Sequence, residues 1–132
     1  MNEVLTLDII IMESVKVKGN TAEAEMLFFG GSCNCENFNG VILPGGIDTQ
    51  MQRNDENRTL SARYILEGTD CVGESCKIFI ENNAEIAENG VIEKTNPVII
   101  TDSKALSYLE TAVLYGRVSF KKDGICIHIY MD

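Results

Sequence analysis

Short runs of β-branched and aromatic residues, cut at close intervals by clusters of Gly, Asn and Asp, dominate this chain and leave almost no helical periodicity. Runs of this kind are expected over residues 4–17, 21–30, 39–43, 47–53, 58–67, 77–83, 97–101, 112–121 and 125–131. The punctuation between them is Lys18-Gly19-Asn20, Gly30-Gly31, Pro44-Gly45-Gly46, Asn54 to Asn57, the loop from Cys71 to Cys76, Glu88-Asn89-Gly90 and Lys122-Asp123-Gly124. Only residues 84–88 and 102–110 have the composition of a helical turn, the second with Asp102 or Ser103 as its N-cap. The pattern predicts an all-β fold. Many short antiparallel strands in a chain of 132 residues must hide their edges, and the simplest way is a small closed barrel. One domain spanning residues 1–132 accounts for the length.

Charge narrows the functional classes. Twenty acidic against eleven basic side chains give a net charge of −9, and the basic residues form no stripe, so a phosphate backbone would be repelled. No basic leader or uninterrupted apolar span opens the chain, since Asp8 and Glu13 bracket its first apolar run. A cytoplasmic, membrane-free and nucleic-acid-free protein is the expectation, with its five cysteines reduced.

Two hairpins can be read in register. If the loop of IDTQMQR-NDEN-RTLSARYIL is centred on Asp55-Glu56, Asp48 faces Arg63, Gln50 faces Ser61 and Gln52 faces Thr59. One face is then wholly polar, and the other pairs Ile47 with Tyr64 and Met51 with Leu60. In LYGRVSF-KKDG-ICIHIYM, either turn choice puts Leu114, Val118 and Phe120 with Ile125, Ile127, Ile129 and Met131. Tyr115, Arg117 and Ser119 then share the other face with Cys126, His128 and Tyr130. Each polar face is either the wetted outside of an apolar barrel or the lining of a polar lumen, and the two hairpins need not agree.

The stretch from Gly40 to Asn82 carries a resemblance. Leu43-Pro44-Gly45-Gly46, Asp48 with Gln50, Arg53, Ala62-Arg63-Tyr64, Ile80 to Asn82, Pro97 to Thr101 and Tyr108-Leu109-Glu110 occur in consistent order. This order resembles an uncharacterised, mostly microbial domain-of-unknown-function family of lipocalin-like (calycin, allene-oxide-cyclase-like) barrels. The chain departs from that pattern at Ser61, at Ala84-Glu85 and at Tyr108, where the family favours an acidic residue, a Gly with a basic residue, and Trp. The resemblance implies a closed up-and-down barrel and carries Asp48, Gln50, Arg63, Tyr64, Asn82 and Tyr108 over as ligand-binding residues. It also favours an inward Asp48 and Arg63, with the Arg63 guanidinium anchoring a carboxylate or carbonyl of a small polar or anionic molecule.

Other chemistry is thinly signalled. Cys33-x-Cys35 and Cys71 to Cys76 do not have the usual zinc-knuckle spacing, so no metal is expected. His128 is the sole histidine and has no nucleophile elbow beside it; the Gly-rich turns match neither a phosphate loop nor a dinucleotide fingerprint, so no cofactor is expected. Three readings stay open: a small-molecule binder, a cofactor-free isomerase or cyclase using Asp48, a tyrosine or His128 for proton transfer, and a non-catalytic assembly module. The last would be a homodimer held by an exposed stripe of Leu60, Tyr64 and Leu66.

Overall fold

Strict alternation is clearest in the strand Arg58–Asp70, where Tyr64, Leu66 and Asp70 are buried while Thr59, Arg63, Ile65 and Glu67 face water. A strand that buries every second residue needs a core on one side only, and the computed structural model, which describes residues 2–132, supplies it by curling nine strands into a closed antiparallel barrel. They are β1 (Asn2–Lys18), β2 (Ala22–Asn34), β3 (Phe38–Ile42), β4 (Gly46–Arg53), β5 (Arg58–Asp70), β6 (Ser75–Ile86), β7 (Asn96–Thr101), β8 (Leu114–Lys121) and β9 (Gly124–Met131). All nine predicted runs are strands.

β3 and β4 act as one interrupted strand. Both pair with β2 and with β5, so the Leu43-Pro44-Gly45 segment between them is a kink within one barrel position and not a reversal. Pro44 cannot donate to a ladder, and Gly45 sits at φ +110°, a conformation that a side chain would strain. The rest is an up-and-down meander, β1 to β9 in order. It is closed by the long β1–β9 ladder, from Asn2 opposite Met131 to Ile9 opposite Ile125, and by a single bridge between Thr95 and Gly116 beside β7 and β8.

The two ends of the barrel differ. Between β7 and β8 the chain makes a 3-10 turn, Ser107–Glu110, whose Leu109 packs with Leu106, Phe38, Leu66, Ile78 and Ile129 into a solid core at one end. Ser103 holds the approach to this turn: its Oγ accepts from the Leu106 amide at 3.1 Å and donates to Asp70 Oδ2 at 2.7 Å. The other predicted turn, residues 84–88, is not helical. Its first residues extend β6, and the chain then bends at Glu88 to Gly90, with the Gly90 amide bonding the Ala87 carbonyl at 2.8 Å. At this second end Ile86 and Gly90 border a cavity that is open to solvent.

Candidate functional site

The interior at the open end is a cavity of about 260 Å³. Most of its wall is aliphatic or aromatic: Ile9 and Ile11 from β1, Phe29 from β2, Val118 from β8, and Ile125 and Ile127 from β9. This settles the second hairpin. Its pairing, Val118 with Ile127 and Arg117 with His128, matches the expected faces, and the apolar face is the inner one. The polar face lies outside, where His128 bridges Glu3 Oε2 (2.9 Å) and Ser119 Oγ (3.1 Å), and Tyr115 stacks on Tyr130 at 5.3 Å. His128 is thus remote from the cavity chemistry.

The first hairpin resolves the other way and with a different register. Asp48 pairs with Ala62, Ile47 with Arg63 and Gln50 with Leu60, one position away from the expected alignment. The loop is centred on Asp55 alone, which adopts φ +65°, and the Glu56 amide closes the turn on the Arg53 carbonyl at 3.1 Å. A one-residue slip reverses a strand's faces. Arg63 therefore points outward, two-thirds exposed, and pairs with Glu81 at 2.9 Å, which corrects its expected partnership with Asp48. Tyr64, Leu60 and Leu66 turn inward with Asp48, which also removes the exposed stripe expected of an assembly face. Tyr108 is on the 3-10 turn at the closed end and does not line the cavity.

Four of the six predicted residues remain together: Asp48, Gln50, Tyr64 and Asn82 all line the cavity. Asp48, Ala62 and Asn82 form one row across β4, β5 and β6, with Tyr64 next along β5. Phe29 meets Tyr64 edge-on, ring centroids 5.2 Å apart, and fixes the phenol's direction. Asp48 Oδ1, Tyr64 Oη, Asn82 Oδ1 and Thr95 Oγ1 are buried without a hydrogen-bond partner. Most buried polar atoms in folded proteins are paired, so four in one wall is a pronounced departure. Burial pushes the Asp48 carboxyl above the usual carboxylate range and keeps the Tyr64 hydroxyl protonated.

Asp48 is held by the expected Gln50 and, behind it, by Arg58 and Glu25, which the sequence pattern did not single out. Gln50 Nε2 donates to Asp48 Oδ2 at 2.9 Å, Arg58 Nε donates to Gln50 Oε1 at 2.7 Å, and Arg58 Nη2 reaches Glu25 Oε1 at 3.1 Å. Glu25 faces Gln50 across the β2–β4 ladder, at the rim of the open end. Parity on β5 would have found Arg58, because it shares a face with Leu60 and Ala62 once the hairpin register is right. This chain of contacts gives Oδ2 a hydrogen-bond donor and leaves Oδ1 buried without one. No cationic side chain lines the cavity itself, and among the described residues no three His, Cys, Asp or Glu side chains are placed to share a metal ion.

Residues 2–131 match the family described as protein of unknown function (DUF3237). The chain belongs to the DUF3237 family. A UPF0311 protein of Clostridium acetobutylicum is 34% identical over 102 residues, which is 76% of this chain and 61% of that protein, so the matched part falls short of two thirds of the relative's length. A crystal structure of a protein of unknown function from the same species superposes with a TM-score of 0.82 at 24% identity, covering 98% of this chain and 96% of that one. An enzyme from Penicillium herquei superposes with a TM-score of 0.76 at 13% identity, covering 99% and 92%. The last two likenesses are of fold alone. In this DUF3237 chain the barrel is closed as the resemblance implied, and among the described residues no helix is long and apolar enough to cross a membrane.

Proposed function

We propose that the open end of the barrel binds a small, largely apolar and uncharged organic molecule through Asp48, Tyr64 and Asn82. The observation that carries this reading is the row of buried oxygens without partners on the wall of an otherwise apolar cavity. Each unmet buried polar atom costs about 1–3 kcal/mol, and a ligand hydroxyl or amide can repay this by donating to them. A cavity of about 150 Å³ accepts a benzene ring, so 260 Å³ suits a molecule of one or two rings. With Arg63 on the outside and no cation in the lining, an anionic ligand loses its expected anchor.

Native mass spectrometry of protein isolated from cells should reveal a bound molecule in the wild type. Ala62→Phe, which fills the cavity between Asp48 and Asn82, should release it. A wild type that carries no added mass and binds no hydroxylated aromatic probe would sink the reading.

A second reading, cofactor-free proton transfer, is favoured by the same carboxyl. Asp48 above the ordinary carboxylate range, held at Oδ2 and free at Oδ1, has the properties of a general acid or base. That a barrel of this fold from Penicillium herquei is an enzyme lends it support. Asp48→Asn should keep binding but abolish any conversion of the bound molecule; unchanged conversion in that variant would leave only the binding role.

A further inference from the structure

The C-x-C motif of β2 takes no part in the cavity, yet its two sulfurs are brought together. Cys33 is the buried residue paired with Leu7 of β1, and Cys35 lies just past the end of β2, half-buried, where the chain bends toward β3. Their Sγ atoms are 3.6 Å apart. Two residues separated by one along a strand point the same way, and here the bend after Asn34 tips the second toward the first. Disulfide formation needs the sulfurs to close to about 2.05 Å, a movement of side-chain torsions when the pair is already in contact. The other thiols lack this arrangement: among the described residues no further cysteine pair is in sulfur contact.

We propose that Cys33 and Cys35 form a redox-active dithiol, with Cys35 the attacking sulfur and Cys33 the resolving one, exchanging with low-molecular-weight disulfides. Exposure divides the roles, because a co-substrate can reach Cys35 and not Cys33, which is 2% exposed. Electrostatics agrees with that division: the hydrogen bond from Cys33 holds the Cys35 thiol below its ordinary range, and the same contact together with burial drives Cys33 up. The Cys35 thiolate attacks one sulfur of a disulfide RSSR, forming a Cys35–SR bond and expelling RS⁻. Cys33 passes its proton to that RS⁻, and its sulfur then attacks Cys35 Sγ, breaking the bond to SR and expelling a second RS⁻. The protein loses two electrons, RSSR gains them, and the products are the Cys33–Cys35 disulfide, RSH and RS⁻.

The test is clean because cleavage after Lys18 and Arg53 releases one peptide, residues 19–53, that holds both cysteines and none of the other three. Intact protein is equilibrated with glutathione disulfide, quenched with an alkylating reagent, unfolded and digested. The expected result is a 19–53 peptide lighter by two hydrogens and closed to alkylation, while Cys71, Cys76 and Cys126 remain alkylated. Cys33→Ala, which removes both the resolving sulfur and the hydrogen-bond donor, should instead trap one glutathionyl group on Cys35 and slow alkylation of Cys35 at mildly acid pH about tenfold. Should that core variant fail to fold, Cys35→Ser, altered at the more exposed position, must leave Cys33 unmodified in the folded protein. Full alkylation of Cys33 and Cys35 under excess glutathione disulfide, or oxidation appearing between Cys71 and Cys76 in their place, overturns the proposal.

Discussion

At the scale of single residues, Asp48 combines two opposed demands. Its carboxyl is placed where charge is poorly solvated, yet Gln50 and, through Gln50, Arg58 hold it in a fixed pose. A carboxyl whose folded-state pKa is raised binds its proton more tightly in the folded protein than in the unfolded chain. Stability therefore declines as pH rises from the ordinary value of 3.8 to the raised folded value, and stays at the lower plateau above it. Asp48→Asn cannot ionise and keeps the hydrogen bond with Gln50. Its urea midpoint should exceed that of the wild type at pH 7, and the gap should close below pH 3.8. A gap of equal size at every pH would mean that ionisation of Asp48 is not its source. The polar cluster on the outer face of β8 and β9 makes the contrast: His128, Arg117 and Tyr130 looked as chemically rich as the Asp48 row in the sequence, and they serve the barrel's surface.

At the scale of elements, the sequence was legible wherever parity survived ambiguity. The β8–β9 faces were readable because both candidate turns shift the pairing by an even count, leaving Ile127 and Val118 together under either one. The β4–β5 faces were not, because the choice between centring the loop on Asp55-Glu56 and on Asp55 alone is an odd shift. That single residue moved Arg63 outside, brought Tyr64 to the cavity and hid Arg58 from the reading. The deciding quantity, a left-handed backbone at Asp55, is one that Asp tolerates but does not announce. Asp55→Gly removes the strain at φ +65° and should stabilise the protein by about 0.5–1 kcal/mol in chemical denaturation. A loss of stability would show that the Asp55 side chain contributes more to the loop than its backbone costs. The Pro44-Gly45 kink was likewise legible as a breaker but not as a join, since only pairing across to β2 and β5 reveals that β3 and β4 occupy one position.

At the scale of the whole molecule, closure is uneven. β9 is zipped to β1 along most of its length, whereas β7 and β8 meet through the Thr95–Gly116 bridge, two backbone hydrogen bonds of 2.9 Å each. A Cβ on Gly116 would lie 2.1 Å from Thr95 Oγ1, so Gly116→Ala should cost about 1–3 kcal/mol. Hydrogen exchange should speed up first at Thr95 and Gly116 and leave the β1–β9 ladder protected; an unchanged unfolding midpoint would show that Thr95 gives way to the added methyl without loss of the join. Thr95 also belongs to the cavity wall, so the weakest join in the barrel runs beside its open chamber. The unmet oxygens of that chamber have a practical corollary. Any compound that satisfies them binds the folded chain and not the unfolded one, and at a hundredfold excess over its Kd adds about 2.7 kcal/mol to stability. The melting curve of this barrel is therefore its own ligand detector: a library scanned by heat alone, with no guess about chemistry, would rank compounds by how well they complete the wall.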